Sequence, residues 1–377
     1  MSYSTPTRPG AHPEQVKLAR VFSSLWLMGP PMSEKLVNLI EHLFSPEEAR
    51  IAKHLPYYFP RTIETIARRA RRPAAEVAPI LQALAERRVI LQAGSRGYAL
   101  LPLIPGMFEY LLMDGRDAPW QRRYAQLINE LFATGFTRRY SNTYVPATRY
   151  IPVETAVEHQ ECILEADRVS RMIDAHEHLA VLNVCQCRQS QAFDGKSCQR
   201  AAPEDGCLVF GSFAKGVEQS GTGRMVSRAE MAKIVKERWD KNLVFWAANV
   251  APDRPNFICT CCDCCCHLLE GIEKFNSRVC IAEPHFLAAV DMDVCNHCGA
   301  CVPVCNTHAH VLTDKRHTYT MESCIGCGLC VQACKHVAIT MRPNPDYRKP
   351  AESWFSLAVR IMPGSVLAAL KAMVARG

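Results

Sequence analysis

The chain has 377 residues, 48% of them apolar and 21% charged, enough to build about two to four soluble domains. Twenty cysteines in so long a chain, behind an N-terminus without an apolar signal region, argue against a disulfide-stapled secreted protein. The longest apolar run, Leu243-Val-Phe-Trp-Ala-Ala-Asn-Val-Ala251, is about half the roughly 18 residues a membrane helix needs. The formal net charge of +7 is modest, with 14 Lys/Arg against 10 Asp/Glu in residues 1–115 and 6 against 2 in residues 342–377. Neither end has the density of a nucleic-acid arm. The expectation is a cytoplasmic protein whose thiols hold metal.

Along the chain the pattern reads as an α+β multidomain protein. Residues 1–32 read as a disordered tail. Residues 33–115 read as a winged-helix-like domain. Leu36, Leu39, Ile40 and Leu43 share one helical face, and Ser45 caps a helix that has Pro46 at its first position. A short helix follows from Thr62, then a longer one over Ala74–Arg88 burying Val77, Ile80, Leu81 and Leu84. Val89–Leu101 gives two short strands around a glycine-containing turn, the wing. Residues 116–160 form a connector, with a helix near Gln121–Thr134 and a polar aromatic stretch over Arg138–Tyr144.

Residues 161–290 read as a cysteine-rich domain of mixed α/β type. A helix at Ala166–Glu177 leads into a strand at Leu179–Cys185. Gly211–Gly216 and Gly221-Thr-Gly223 lack any nucleotide-binding spacing and read as plain loop. Ser227 and Glu230 form a capping box opening a helix to Lys241. Strands at Leu243–Val250 and Asn256–Cys259 follow, then a helix from Cys265. Residues 291–345 carry an internal repeat, and residues 346–377 are a basic amphipathic segment containing Trp354-Phe355. All 20 cysteines lie between Cys162 and Cys334, so metal chemistry belongs to the second half of the chain.

Cys295, Cys298, Cys301 and Cys305 have the spacing C-x2-C-x2-C-x3-C, and Cys324, Cys327, Cys330 and Cys334 repeat it. Two-residue gaps let one tight loop wrap three corners of a cubane, with glycine and alanine letting backbone N–H groups approach the sulfurs. The fourth cysteine begins a helical turn that carries it to the other cluster. One [4Fe–4S] cluster is therefore assigned to Cys295, Cys298, Cys301 and Cys334, and a second to Cys324, Cys327, Cys330 and Cys305. Zinc also takes C-x2-C pairs, but eight cysteines in a duplicated array favour iron–sulfur clusters. This region resembles the bacterial two-cluster ferredoxin domain. It departs from the family at Asn306 and Lys335, where proline usually follows the fourth cysteine. The ligand set is untouched by that change, whereas turn rigidity and cluster potential are put in question.

The remaining cysteines fall in two groups. Cys185, Cys187, Cys198 and Cys207, with Arg188, sit at a strand end and in the loop beyond it. Cys259, Cys261, Cys262, Cys264, Cys265 and Cys266 run into a helix N-terminus, where thiol pKa values fall. If that run turns helically, Cys261 shares a face with Cys265 and Cys262 with Cys266, so half of it is expected to ligate. Three readings stay open: one or two further Fe–S clusters, a structural zinc, or reactive thiols. Cys162 and Cys280 read as small buried apolar residues.

From about residue 33 onward the chain resembles a group of anaerobe ferredoxin-type iron–sulfur proteins. The match runs through the winged-helix-like region, Cys185-x-Cys187-Arg188, Cys198, Cys207, the Cys259–Cys266 run and the eight ferredoxin cysteines. The resemblance implies electron transfer in anaerobic metabolism through redox protein partners. It brings no established small-molecule substrate and no assigned catalytic residue. The alternatives are a redox-sensing winged-helix regulator and a zinc-containing ferredoxin.

Against DNA as a partner, the first three turns of the Ala74 helix offer no Arg, Lys, Asn or Ser to a base edge or phosphate. Arg68, Arg69, Arg71 and Arg72 read as a solvated charge run. A docking module for a protein fits better. Six histidines between His285 and His336, including His297, His308 and His310, read as surface polar residues. The C-terminal segment suits either peripheral contact with the inner face of a membrane or packing on its own domain.

Overall fold

The computed structural model describes residues 10–24, 27, 29–57, 59–136, 146–251, 253, 256–275, 278, 281–361 and 363. These fall into two compact units: the described residues of Met1–Tyr140 with Gln189–Lys196, and those of Ser141–Arg188 with Ser197–Ala368.

In the first unit, helix α1 (Pro13–Phe22) occupies part of the segment expected to be a disordered tail. The His12 ring accepts from the Glu14 N–H, Pro13 presets the first turn, and Leu18, Ala19 and Phe22 are fully buried. The apolar spacing of that face outweighs the Pro- and Gly-rich lead-in. Residues 1–9 lie outside the described residues. Helix α2 (Glu34–Leu43) follows, then α3 (Pro46–Ala52) with a reciprocal Ser45–Glu48 capping box, α4 (Ile63–Ala70) and α5 (Ala74–Glu86). Strands β1 (Leu91–Gln92) and β2 (Tyr98–Ala99) pair as an antiparallel hairpin. Helices α6 (Phe108–Leu112) and α7 (Pro119–Phe132) follow. The Arg138–Tyr144 stretch lies outside the described residues.

The second unit opens with β3 (Thr148–Ile151), an edge strand at the end of the expected connector. Next along the chain come α8 (Val169–Asp174), β4 (Leu179–Leu182), α9 (Gln186–Phe193, of which the residues from Gln189 on belong to the first unit), β5 (Leu208–Phe210), α10 (Ser212–Gln219) and β6 (Gly223–Met225). Helix α11 (Arg228–Asp240), β7 (Val244–Ala248), β8 (Phe257–Cys261) and α12 (His267–Phe275) complete the middle region. The glycine-flanked stretch expected as loop is thus partly helix α10 and strand β6. At α11 the Ser227 hydroxyl accepts from the Glu230 N–H, while the Glu230 carboxylate pairs with Arg224.

The six strands lie in the order β3-β7-β8-β5-β4-β6, and every neighbouring pair is antiparallel. The region expected as mixed α/β thus alternates helices with strands in sequence, while its sheet is antiparallel throughout. Here α11 carries the chain past three strands, from edge strand β6 to β7. One face of the sheet buries Val169, Met172, Met231 and Val235 of α8 and α11 against Phe245, Ala247 and Ile258. The other face, carrying Val244, Trp246, Cys259 and Cys261, packs on α12 and on the C-terminal cysteine repeat. The period-two alternation of a strand places Ile258 on one side and both cysteines on the other.

That repeat is built on an antiparallel pair, β9 (Phe286–Val290) with β12 (Ile339–Pro343), and a hairpin of β10 (His310–Thr313) and β11 (Arg316–Tyr319). Helix α13 (Leu329–Ala333) lies between them in sequence. Beyond it, Ala351 bridges Val250, and Leu357 is buried with Ala248 and Val250. The described part of the C-terminal segment packs on its own unit. Residues 364–377 lie outside the described residues.

Candidate metal centres

The eight cysteines of the repeat divide between two cavities, and each cavity draws its fourth cysteine from the other half of the repeat. One is lined by Cys305, Cys324, Cys327 and Cys330 among Val304, Ala309 and Ile325. The other is lined by Cys295, Cys298, Cys301 and Cys334 with His317 and His336. Backbone N–H groups point at the sulfurs: Ala309 donates to Cys305 Sγ at 3.2 Å and Gly326 to Cys324 Sγ at 3.4 Å. Gly326 has φ +70°, and a Cβ there would stand 2.3 Å from the Phe286 carbonyl oxygen. The loop is further anchored by the Val153 N–H on the Cys327 carbonyl at 2.8 Å and by Arg278 on the Cys324 carbonyl at 2.9 Å.

Burial pushes the Cys301 thiol up to about 11 and drives Cys327 and Cys330 upward as well. Thiolates so placed need a cation beside them. Apolar walls, four thiols per cavity and inward N–H donors together fit an anionic, thiolate-held cluster.

Two histidines expected at the surface are buried. His317 sits over the second cavity, with its ring nitrogens 3.6 Å from Cys295 Sγ and 3.4 Å from Cys301 Sγ. His310 lies 2.9 Å from the His317 ring, and burial lowers it to about 4, with His317 adding to the effect. The hairpin register turns both rings inward.

Asn306, where proline is usual, is 1% exposed. Its Oδ1 accepts from the Asp263 N–H at 3.1 Å, and its Nδ2 donates to the Asn242 carbonyl at 2.9 Å. It ties the repeat to the middle region.

The middle cysteines form two sets that the sequence did not separate. The first is buried under the sheet face. Hydrogen bonds from Cys185 and then Cys259 lower the Cys207 thiol well below its usual range, and those from Cys187 and then Cys261 do the same for Cys266. Contact between Cys259 and Cys261, neighbours on one face of β8, joins the two trios. The Trp246 indole N–H donates to Cys261 Sγ at 3.0 Å.

Arg188, 1% exposed, lies beside this set and donates to the carbonyls of Thr260 at 2.5 Å and Asp205 at 3.2 Å. Burial opposes its charge, but the sulfurs of Cys185, Cys262, Cys261 and Cys207 outweigh burial and raise its pKa. Arg238, paired with the Asp205 carboxylate, is lowered to about 10 by burial and by Arg188.

The second set is Cys198, Cys262, Cys264 and Cys265, whose sulfurs all lie within 4.8 Å of one another. Cys198 Sγ is 3.6 Å from Cys262 Sγ and 3.5 Å from Cys264 Sγ, and Cys264 and Cys265 are 3.8 Å apart. Arg200 grips the Asp263 carboxylate with two bonds of 2.7 Å beside it.

The helical pairing of this run is therefore overturned. Strand β8 continues to Cys261 and α12 begins at His267, so Cys262–Cys266 form a turn. Cys261 joins Cys266, Cys262 joins Cys265, and each cysteine of the run lies beside another cysteine sulfur. Cys162 is exposed, not buried; Cys280 lies outside the described residues.

Compared with known proteins, residues 294–338 match the 4Fe-4S dicluster domain family. No curated protein and no solved structure matches the chain. The region that carries the two cavities is a ferredoxin-like 4Fe-4S-binding region.

Proposed function

We propose that the protein relays single electrons through two [4Fe–4S] clusters, held by Cys295, Cys298, Cys301 and Cys334 and by Cys324, Cys327, Cys330 and Cys305. A further Fe–S centre in the pocket of Cys185, Cys187, Cys207, Cys259, Cys261 and Cys266 extends the relay toward a redox partner protein in anaerobic metabolism. The observation that carries this reading is one buried core containing sulfurs of all three sites, Cys261 and Cys266 together with Cys301, Cys305, Cys324 and Cys330. When bound, the clusters supply one-electron exchange. The chain's own residues exclude water with Val304, Ile325 and Leu329, donate N–H groups to sulfur, and place Trp246 and Arg188 against the six-thiol pocket. These are the means by which a protein sets cluster potential.

The order of α3, α4, α5 and the β1–β2 hairpin supports a winged-helix reading of residues 33–115. The exposed positions of α5 are Ala75, Glu76, Pro79, Gln82, Ala83 and Glu86. Two carboxylates and no cation repel a phosphate backbone, so this domain is read as a docking module for protein rather than DNA. Among the described residues no helix is long and apolar enough to cross a membrane.

Iron and acid-labile sulfide per chain in anaerobically prepared protein, followed by a potentiometric titration read by EPR, test the proposal. About twelve of each, with every cluster reduced and reoxidised reversibly, is expected for three cubane-sized centres. About eight removes the middle centre. Clusters that cannot be cycled overturn electron transfer itself.

A further inference from the structure

The set formed by Cys198, Cys262, Cys264 and Cys265 differs in kind from the cavities of the repeat. Four sulfurs bound to one ion at about 2.3 Å form a tetrahedron with edges of about 3.8 Å. The measured separations of 3.5, 3.6 and 3.8 Å match that edge. In a cubane each thiolate caps a different iron, so the ligands stand apart by the whole cluster body. Neither quartet of the repeat gathers its sulfurs within 4.8 Å, which is the internal comparison.

We propose that Cys198, Cys262, Cys264 and Cys265 hold one zinc ion in a closed tetrathiolate site, separate from the iron–sulfur centres. Three ligands come from a single turn between β8 and α12, and the fourth arrives from a loop 64 residues earlier in the chain. The ion thus clamps the loop that leads to Cys207 onto the cysteine-rich turn. On loading, the four thiols release four protons and the ion gains four sulfur bonds, with no change of oxidation state. The completed site carries two negative charges.

The surrounding residues suit a structural site. The Gln199 N–H donates to Cys264 Sγ at 3.5 Å. The Cys264 N–H donates to Asp263 Oδ1 at 2.9 Å, and the same carboxylate is held by Arg200. Both segments bearing ligands are therefore braced to each other beside the sulfurs. A closed set of four thiolates leaves no open position for a substrate, unlike a catalytic zinc site.

The proposal does not rest on electron transfer: a chain whose clusters cannot be cycled could still hold zinc, and the two fail separately. The test is zinc, iron and sulfide per chain by mass spectrometry on the intact, anaerobically prepared protein, with zinc K-edge X-ray absorption on the same sample. About one zinc per chain, in a shell of four sulfurs at about 2.3 Å, is expected. In the double variant Cys198→Ser, Cys264→Ser zinc falls at least tenfold while iron and sulfide stay at the wild-type level. Should that variant fail to fold, the wild-type absorption shell decides alone. Absence of zinc, a shell containing nitrogen or oxygen, zinc retained in the folded double variant, or a mononuclear ferric signal lost in that variant overturns the proposal.

Discussion

Replacing Asn306 with alanine separates the repeat from the middle region without touching a cysteine. The side chain is 1% exposed and makes two bonds across that boundary, to the Asp263 N–H at 3.1 Å and the Asn242 carbonyl at 2.9 Å, plus one within its own loop to Val304 at 3.2 Å. Each bond contributes about 1 kcal/mol net, and stranding a buried donor costs about 1–3 kcal/mol more. The Asn242 carbonyl is half-buried and partly regains water, so the expected loss is about 2–3 kcal/mol. Anaerobic urea unfolding of the cluster-loaded protein, followed by visible absorbance and circular dichroism, reads this as a midpoint lower by roughly 1 M. Lys335 is the matched control. It holds the equivalent place in the second half of the repeat but is exposed, so Lys335→Ala is expected to stay within about 0.5 kcal/mol of wild type. Equal shifts in the two variants, or a shift below about 0.5 kcal/mol for Asn306→Ala, refute the idea that asparagine replaces proline here in order to join the two regions.

Three other outcomes follow from single residues. Gly326→Ala places a Cβ 2.3 Å from the Phe286 carbonyl oxygen and 2.5 Å from Pro284 Cβ, at a φ of +70°; iron per chain should fall by about four, with the Cys295 cluster retained in the EPR spectrum. Trp246→Phe removes the indole donor to Cys261 at 3.0 Å. A bond to a charged sulfur is worth about 1.5 kcal/mol, so the middle centre should fall in potential by on the order of 60 mV for one electron, while the repeat's clusters stay fixed. Hydrogen bonds from Lys17 and then Lys53 lower Glu14 from 4.5 to about 2. Its folded value lies below the unfolded one, so its contribution is present above pH 4.5 and is lost as pH falls toward 2. Amide exchange in α1 should quicken across that window. In Glu14→Gln it should already be about two- to fivefold faster at neutral pH, the worth of a pair of about 0.5–1 kcal/mol, and flat below.

The parts legible in the sequence were those set by short-range spacing. Leu36, Leu39, Ile40 and Leu43 at helical intervals gave α2, the Ser45–Glu48 box gave the start of α3, and the two C-x2-C-x2-C-x3-C runs gave the cysteines of both cavities. What stayed closed was set by long-range register. Whether β4, β5, β7 and β8 run parallel depends on which strands meet, and a strand–helix alternation alone does not say. His317 became a neighbour of Cys295 and Cys301 through the fold of a hairpin. Pro13–Phe22 is helix where a tail is expected, because the lack of an apolar signal region says nothing of the short buried face formed by Leu18, Ala19 and Phe22.

The division of the middle cysteines has a local cause that joins these two levels. Over Phe257–Cys261 the chain has period two, so Cys259 and Cys261 look the same way, toward the core shared with the repeat. At Cys262 the strand ends and the turn reverses direction, sending Cys262, Cys264 and Cys265 to the other side, where Cys198 meets them. Cys266, at the entry to α12, returns to the first set. Arg188 then decides the electrical character of that set. A guanidinium 1% exposed, with two backbone carbonyls as hydrogen-bond acceptors and Arg238 beside it, would be an uncompensated buried charge costing several kcal/mol. The groups that raise its pKa are sulfurs, and those of Cys185, Cys261 and Cys207 belong to the buried set. A buried guanidinium beside these sulfurs favours their thiolate form, which is the state in which thiols bind metal.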